Sequence, residues 1–206
     1  MEGSIVAWFT DHLIALMIPL CAVATPIATL WYKQRLDKKD KKPHSVSVAV
    51  EKTARLETLC LKLMERLGAQ RVNVWLFHNG GYYYTGEPIQ KLSIVCEKNE
   101  QGMESIIHIF QNQPISIFQR NLAKLKDNDY FYEYNELQYN DSLAVLNSLY
   151  EIVSSGLFKL RNKDNYFAGI LAIGYHNHHA VTGGEVEIIK EACKQIEVEL
   201  ANHHIK

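Results

Sequence analysis

The chain has 206 residues, with 22 Lys+Arg against 23 Asp+Glu and a mean hydropathy of −0.17. Near-zero net charge excludes a basic nucleic-acid binder and an acidic tail protein, and 47% hydrophobic with 22% charged residues excludes a disordered chain. The average hides two materials: before Lys33 the only acidic or basic side chains, histidine aside, are Glu2 and Asp11.

Leu13 to Tyr32 contains no Asp, Glu, Lys, Arg or His. At 1.5 Å per residue such a stretch covers a hydrocarbon core of about 30 Å, so the sequence predicts a transmembrane helix within an N-terminal segment, residues 1–32. Trp8 and Phe9 precede it and Trp31 and Tyr32 close it, where aromatic belts sit. A basic linker follows over 33–45, with Lys33, Arg35, Lys38, Lys39, Lys41 and Lys42. The positive-inside rule then places the N-terminus outside and the remainder in the cytoplasm, at the inner membrane. A cleaved signal peptide is the rival reading, since Ala22-Val23-Ala24 has the small-x-small form. The missing Lys or Arg before the apolar run speaks against it. The cysteines are Cys21, Cys60, Cys96 and Cys193, with no C-x-x-C, so neither a zinc site nor a redox pair is suggested.

Residues 46–206 read as one domain. A helix is predicted over 46–67, with Leu56, Leu59, Leu63, Met64 and Leu67 at i, i+3, i+4 spacing and Gly68 as its stop. The stripe fits a helix packed on its own sheet, and it fits one paired with a second copy in a homodimer. Arg71 to His78 reads as a strand, Asn79-Gly80-Gly81 as a turn, and Lys91 to Glu97 as a second strand with Leu92, Ile94 and Cys96 on one face. Ile106 to Phe110 is a third strand candidate, and Pro114 is placed near the start of a helix over 114–125. The tyrosine-rich 127–142 reads as a long loop or lid. A short helix follows over 143–150, then strands over 152–161 and 166–176 joined as a hairpin. Thr182-Gly183-Gly184-Glu185 has capping-box form and opens a closing helix. The fold class is α+β, an antiparallel sheet flanked by helices.

This order resembles a GAF domain, the small-ligand sensor module related to PAS domains. The likeness covers roughly residues 46–202 and is carried best by Phe167-Ala168-Gly169-Ile170-Leu171-Ala172-Ile173-Gly174, then a loop, then a capped helix. Cyclic-nucleotide-binding members carry an N-K-x-F-x-D-E pattern. Here Asn177 and Glu185 match it, while His178 stands where Lys is expected and Gly184 where Asp is. Separately, Phe77-His78-Asn79-Gly80-Gly81, Thr85-Gly86 and Gln90-Lys91-Leu92-Ser93 resemble small membrane-anchored proteins, many of them phage-encoded.

The candidate ligand-binding residues are His78, Asn79, Gly80, Gly81, Tyr82, Tyr84 and Lys91. Glycines let backbone N–H groups approach a ligand, and tyrosines offer stacking faces and hydroxyls. The plain alternative is a glycine hairpin with tyrosines along its edge. Tyr130 and Tyr132 join the set through the resemblance, which puts their segment beside the ligand cavity. A planar anionic molecule such as a nucleotide fits this set. His176, His178 and His179 lack a carboxylate or thiol at ligand spacing, so no metal is expected. No catalytic signature is present, so neither an enzyme nor a cofactor is expected. The expected function is a membrane-tethered sensor that binds a small ligand or regulates a partner. The alternative is a non-sensing protein-interaction scaffold at the membrane. No output domain is recognised, so a signal is expected to pass through dimerisation or a protein partner, with no nucleic acid involved.

Overall fold

A computed structural model describes residues 29–33, 46–83, 85–134 and 142–201. The chain divides into two units, Met1–Val46 and Ser47–Lys206. In the first, residues 29–33 are helical. Most of the expected span and linker lie outside the described residues, as do Tyr84, 135–141 and the terminal His203 and His204. Among the described residues no helix is long and apolar enough to cross a membrane.

The second unit runs α1 (Val46–Leu67), β1 (Arg71–Tyr82), β2 (Pro88–Asn99), β3 (Gln113–Pro114), a 3-10 turn (Ile115–Phe118), α2 (Gln119–Asp127), β4 (Tyr130–Tyr134), α3 (Ser142–Leu149), β5 (Ser154–Arg161), β6 (Phe167–Tyr175) and α4 (Gly183–Ala201). The six strands make one sheet in the order β3-β2-β1-β6-β5-β4, and every pairing is antiparallel. This is the α+β sheet with flanking helices that the sequence pattern predicts.

α1 buries Leu56, Cys60, Leu63 and Leu67, the expected stripe with a cysteine at its centre. Gly68 ends it at φ +61, a conformation that favours glycine. α4 buries Val186, Ile189, Cys193 and Ile196. Its capping box is formed: Thr182 N–H donates to Glu185 Oε2 at 2.7 Å and Glu185 N–H to Thr182 Oγ1 at 3.3 Å. α1 and α4 cover one face of the sheet, against Val72, Val74, Phe158, Leu160, Leu171, Ile173 and Tyr175. Each such side chain, taken fully from water, contributes about 1.5–3 kcal/mol. The second face carries Trp75, Leu92, Ile94, Leu157 and Ile170 under Ile106, Phe118, Leu125, Leu143 and Leu146.

Several local expectations are corrected. Asn79-Gly80-Gly81 is not the hairpin turn: β1 runs through it to Tyr82, with a register shift between Asn79 and Tyr82. Gly81 at φ +100 absorbs that irregularity. The turn lies further on, where Tyr83 N–H donates to Glu87 O and Gly86 N–H to Tyr83 O. Ile106 to Phe110 is a turn rather than a strand, because the Glu97 carboxylate collects the backbone N–H groups of Ile106 and Ile107. The short strand beside β2 is Gln113–Pro114. Within the supposed lid, Tyr130–Tyr134 is edge strand β4, paired with β5 from Tyr130↔Phe158 to Tyr134↔Ser154. Leu92, Ile94 and Cys96 do not share a face. β1 pairs Val74 with Cys96 and Trp75 with Ile94, so Val95 is an extra, bulged residue. Cys96 is thereby turned to the α1 face while Leu92 and Ile94 keep the other.

Candidate functional site

Arg71, Asn73 and Trp75 lie at i, i+2 and i+4 of β1, and strand alternation puts all three on the second face. β1 is a central strand, flanked by β2 and β6, so all three are buried. Arg71 is compensated: its side chain and that of Glu97 are 5% and 4% exposed, with Nε 3.8 Å from Glu97 Oε1. Its Nε also donates to Asn99 Oδ1 at 3.1 Å and its Nη2 to Glu104 O at 2.7 Å. The guanidinium lies 4.9 Å from the centre of the Tyr150 ring. Burial lowers the Arg71 pKa from its ordinary value and Glu97 opposes that shift. Glu97 in turn accepts from Ser105 Oγ and the Ile106 and Ile107 N–H groups.

Asn73 Oδ1 and Trp75 Nε1 are different. Both atoms are buried and neither has a hydrogen-bond partner. A buried donor or acceptor left unmade costs on the order of 1–3 kcal/mol. Both residues line a cavity of about 30 Å³ beneath α3, together with Arg71, Leu146, Asn147 and Ser155. Asn147 Nδ2 donates to Ser155 Oγ at 3.1 Å across its wall. A second cavity of about 30 Å³, lined by Phe118, Asn121 and Ile170 among others, lies alongside. Trp75, Leu143, Leu157 and Ala172 border both. Of these four, Leu143 alone comes from outside the sheet. Each cavity has room for a water or two, and the first has the polar partners that a small hydrogen-bonding molecule requires.

The structure keeps His78 through Tyr82 beside Lys91 and sets Tyr130 and Tyr132 apart from them. The β1–β2 hairpin continues past the last β6 pairing, Leu76↔Gly169, as an arm carrying His78 through Tyr82, flanked by β3 only at its base, where Lys91 pairs with Pro114. His78 Nε2 shares a 2.9 Å hydrogen bond with Ser93 Oγ, and Gln90 Nε2 donates to Asn79 Oδ1 at 3.1 Å. The Lys91 stem lies over Gly80, so close that a Cβ there would overlap it. Tyr82 is exposed and lines neither cavity. Tyr130 and Tyr132 lie three strand positions from β1, about 14 Å away at the usual strand spacing. Their rings pack around Phe158 on the α1/α4 face. The Tyr132 ring lies against Gly156, and burial pushes its hydroxyl pKa well up.

In the histidine-rich loop, His179 stacks on Tyr175 at 4.0 Å and meets Glu185 Oε1 at 2.9 Å, a structural latch at the start of α4. Among the described residues no group of three or more His, Cys, Asp or Glu could hold a metal. Between α1 and α4 runs an open groove of about 470 Å³, lined by Arg55, Leu59, Gln195 and Val198 among others.

The Arg71-Asn73-Trp75 row is not among the candidates taken from the sequence, where Arg71 to His78 reads only as a strand. Its signal was available: polar Arg and Asn at alternate positions of a strand whose other positions are Val72 and Val74.

No protein-family model matches the chain, and no curated protein is similar to it in sequence. Its fold is nevertheless shared by solved structures. A phycoerythrobilin-bound GAF domain from a cyanobacterial phytochrome is 16% identical, with a TM-score of 0.56 over 78% of this chain and 97% of that one. The PixJ GAF domain of Thermosynechococcus elongatus is 18% identical, with a TM-score of 0.57 over 78% and 91%. GAF3 of Slr1393 from Synechocystis is 11% identical, with a TM-score of 0.57 over 74% and 95%. At these identities the likeness establishes the fold, which is GAF-like.

Proposed function

We propose that this protein is a membrane-tethered, GAF-like sensor that binds a small ligand under α3, against Arg71, Asn73 and Trp75. The observation that carries the reading is the pair of buried, unpartnered groups, Asn73 Oδ1 and Trp75 Nε1, facing a cavity. A ligand with one donor and one acceptor satisfies both. Because Glu97 already balances Arg71, an added anion would be left without a free counter-charge in a low-dielectric site. The ligand is therefore neutral where it meets this row, and not the anionic group expected from the sequence. A chromophore the size of the bilin named for the phytochrome GAF domain does not fit two cavities of about 30 Å³ each. Anything larger than water joins them by displacing Leu143.

Thermal-shift measurements on the full chain test this, with neutral probes such as uracil and 2-pyridone beside benzoate and toluene. Stabilisation by a neutral probe, lost in Trp75→Phe and Asn73→Leu, is the expected result. No stabilisation by any probe, or equal stabilisation of the variants, overturns the reading. The tether rests on the uncharged stretch Leu13–Tyr32 and the basic residues after it. A reporter fused after Lys206 is expected to be active in the cytoplasm, and activity on the far side of the membrane defeats that orientation.

A second reading, the protein-interaction scaffold, is favoured by the small cavities together with the protruding β1–β2 arm. Tyr82 near its end is 75% exposed, and exposed aromatic clusters mark association surfaces. Loss of partner capture on Tyr82→Ser, with no response to any small probe, would select it.

A further inference from the structure

We propose that Cys60 and Cys96 are an oxidation site: a reversible disulfide that ties α1 to β2. The two residues are 36 positions apart in sequence, and their sulfurs are 3.6 Å apart in the core. The β2 bulge makes the meeting possible, because strict alternation would leave Cys96 on the opposite face, with Ile94. Cys60 comes from the centre of the buried α1 stripe. Closing to a bond length near 2.05 Å asks each sulfur to move by less than about 1 Å.

The pair has chemistry that an isolated buried cysteine lacks. Whichever sulfur ionises first is stabilised by the S–H of its neighbour, so the two titrate as a unit. Cys96 is the one lowered, through this contact, and Cys60 is held high by the same contact. The Lys98 ammonium, 2.7 Å from Glu57 Oε2 at the edge of the same packing, favours the thiolate on both and Glu57 opposes it, more strongly than Lys98 at Cys96, so it is the sulfur–sulfur contact that lowers Cys96. Cys193 lies in the same core without a thiol partner, and burial pushes it up to about 12.

The oxidant is a small neutral peroxide, the class that can enter a core closed to larger reagents. The Cys96 thiolate attacks one peroxide oxygen, the O–O bond breaks, and Cys96 becomes a sulfenic acid as hydroxide leaves and takes up a proton. The Cys60 sulfur then displaces the sulfenic hydroxyl, forming the S–S bond and releasing water. Overall two thiols are oxidised, one hydrogen peroxide is reduced, and two waters leave. A dithiol reductant reverses the bond. Residues 46–51 and 53–55 of α1 are exposed, so the bond fixes to the sheet the buried half of a helix whose other half is exposed.

The test is hydrogen peroxide on the folded full chain, followed by alkylation in denaturant and peptide mass spectrometry. A Cys60–Cys96 linked peptide is expected, with Cys193 still alkylated and the link removed by dithiothreitol. Amide exchange over Leu56–Leu67 should slow in the linked form. In Cys96→Ser no link forms at Cys60, while Cys193→Ser, which leaves the pair intact, still links. If both thiols stay alkylatable at doses that oxidise the methionines, or if Cys193 competes as a partner, the proposal fails.

Discussion

The two faces of the sheet are built on different terms. On the α1/α4 face, two long helices lay regular apolar stripes over side chains such as Leu160, Leu171 and Ile173, all but inaccessible to water. On the other face a 3-10 turn, two short helices and a loop cover a surface that includes a charge pair and two unpartnered polar atoms, with small voids between. Buried polar atoms without a partner occur on both faces, the Tyr132 and Tyr175 hydroxyls on the first and Asn73 Oδ1 and Trp75 Nε1 on the second, but only the second pair belongs to residues that line a cavity of about 30 Å³.

Matched truncations break the comparison most sharply. Phe158→Ala on the α1/α4 face should cost about 4 kcal/mol, because Tyr130 and Tyr132 stack around that ring and cannot collapse into the hole. Leu143→Ala should cost about 2 kcal/mol, at the low end for a buried leucine, because its side chain already borders two cavities. Denaturant melts measure both, and equal losses would erase the distinction between the layers. Glu97→Gln comes between, at about 3 kcal/mol. It keeps an acceptor for the Ile106 and Ile107 N–H groups but leaves Arg71 charged in the core. A double variant Glu97→Gln/Arg71→Met should recover part of the loss, since a removed pair is less harmful than half a pair.

The unequal legibility of the two faces in the sequence has the same physical origin. Helical periodicity and the T-x-x-E cap are local signals, so α1 and α4 could be read directly from Leu56, Leu63, Val186, Ile189 and Thr182. The second face depends on long-range events. Glu97 captures the N–H groups of residues nine and ten positions on, which turns an apolar run into a turn. Tyr130–Tyr134 becomes a strand only because β5 offers an edge. The bulge at Val95 reverses Cys96 without any glycine or proline to announce it. The proposed site suffered most. The tyrosines looked like ligand chemistry by type, yet strand order holds Tyr130 and Tyr132 away from His78–Tyr82. Arg71, Asn73 and Trp75 share a face of one strand, and what they meet across it comes from elements far away in sequence.

The α4 cap gives a smaller effect with a definite pH signature. The Thr182 backbone N–H, then the Thr182 hydroxyl and His179, hold the Glu185 carboxyl below its ordinary value of 4.5. A folded pKa below the unfolded one adds stability that is complete above the unfolded value and is lost as pH falls through the folded one. Glu185→Gln should therefore lower stability by about 1 kcal/mol at neutral pH. The gap to the parent should narrow below pH 4.5. A gap that widens on acidification contradicts the carboxylate's role.

The smallest shift bears most directly on the difference between the faces. Asn73→Leu removes an acceptor that has no donor and puts a larger apolar side chain of the same branching in its place, beside a cavity of about 30 Å³. Without ligand the variant should be at least as stable as the parent, by up to about 1 kcal/mol, since an unmet buried group is itself a penalty. On β1 itself the α1/α4 face offers no such exchange, because its inward row there is Val72 and Val74. Trp75→Phe should behave likewise, losing the unpartnered N–H while keeping a ring against Phe110 and Phe118. Thermal melts of the two variants in plain buffer decide the matter. Unchanged or raised midpoints mean that these polar atoms are held for something other than the fold. Midpoints lowered as far as for Leu143→Ala mean that trapped water already satisfies them, and the second face is then a core like the first.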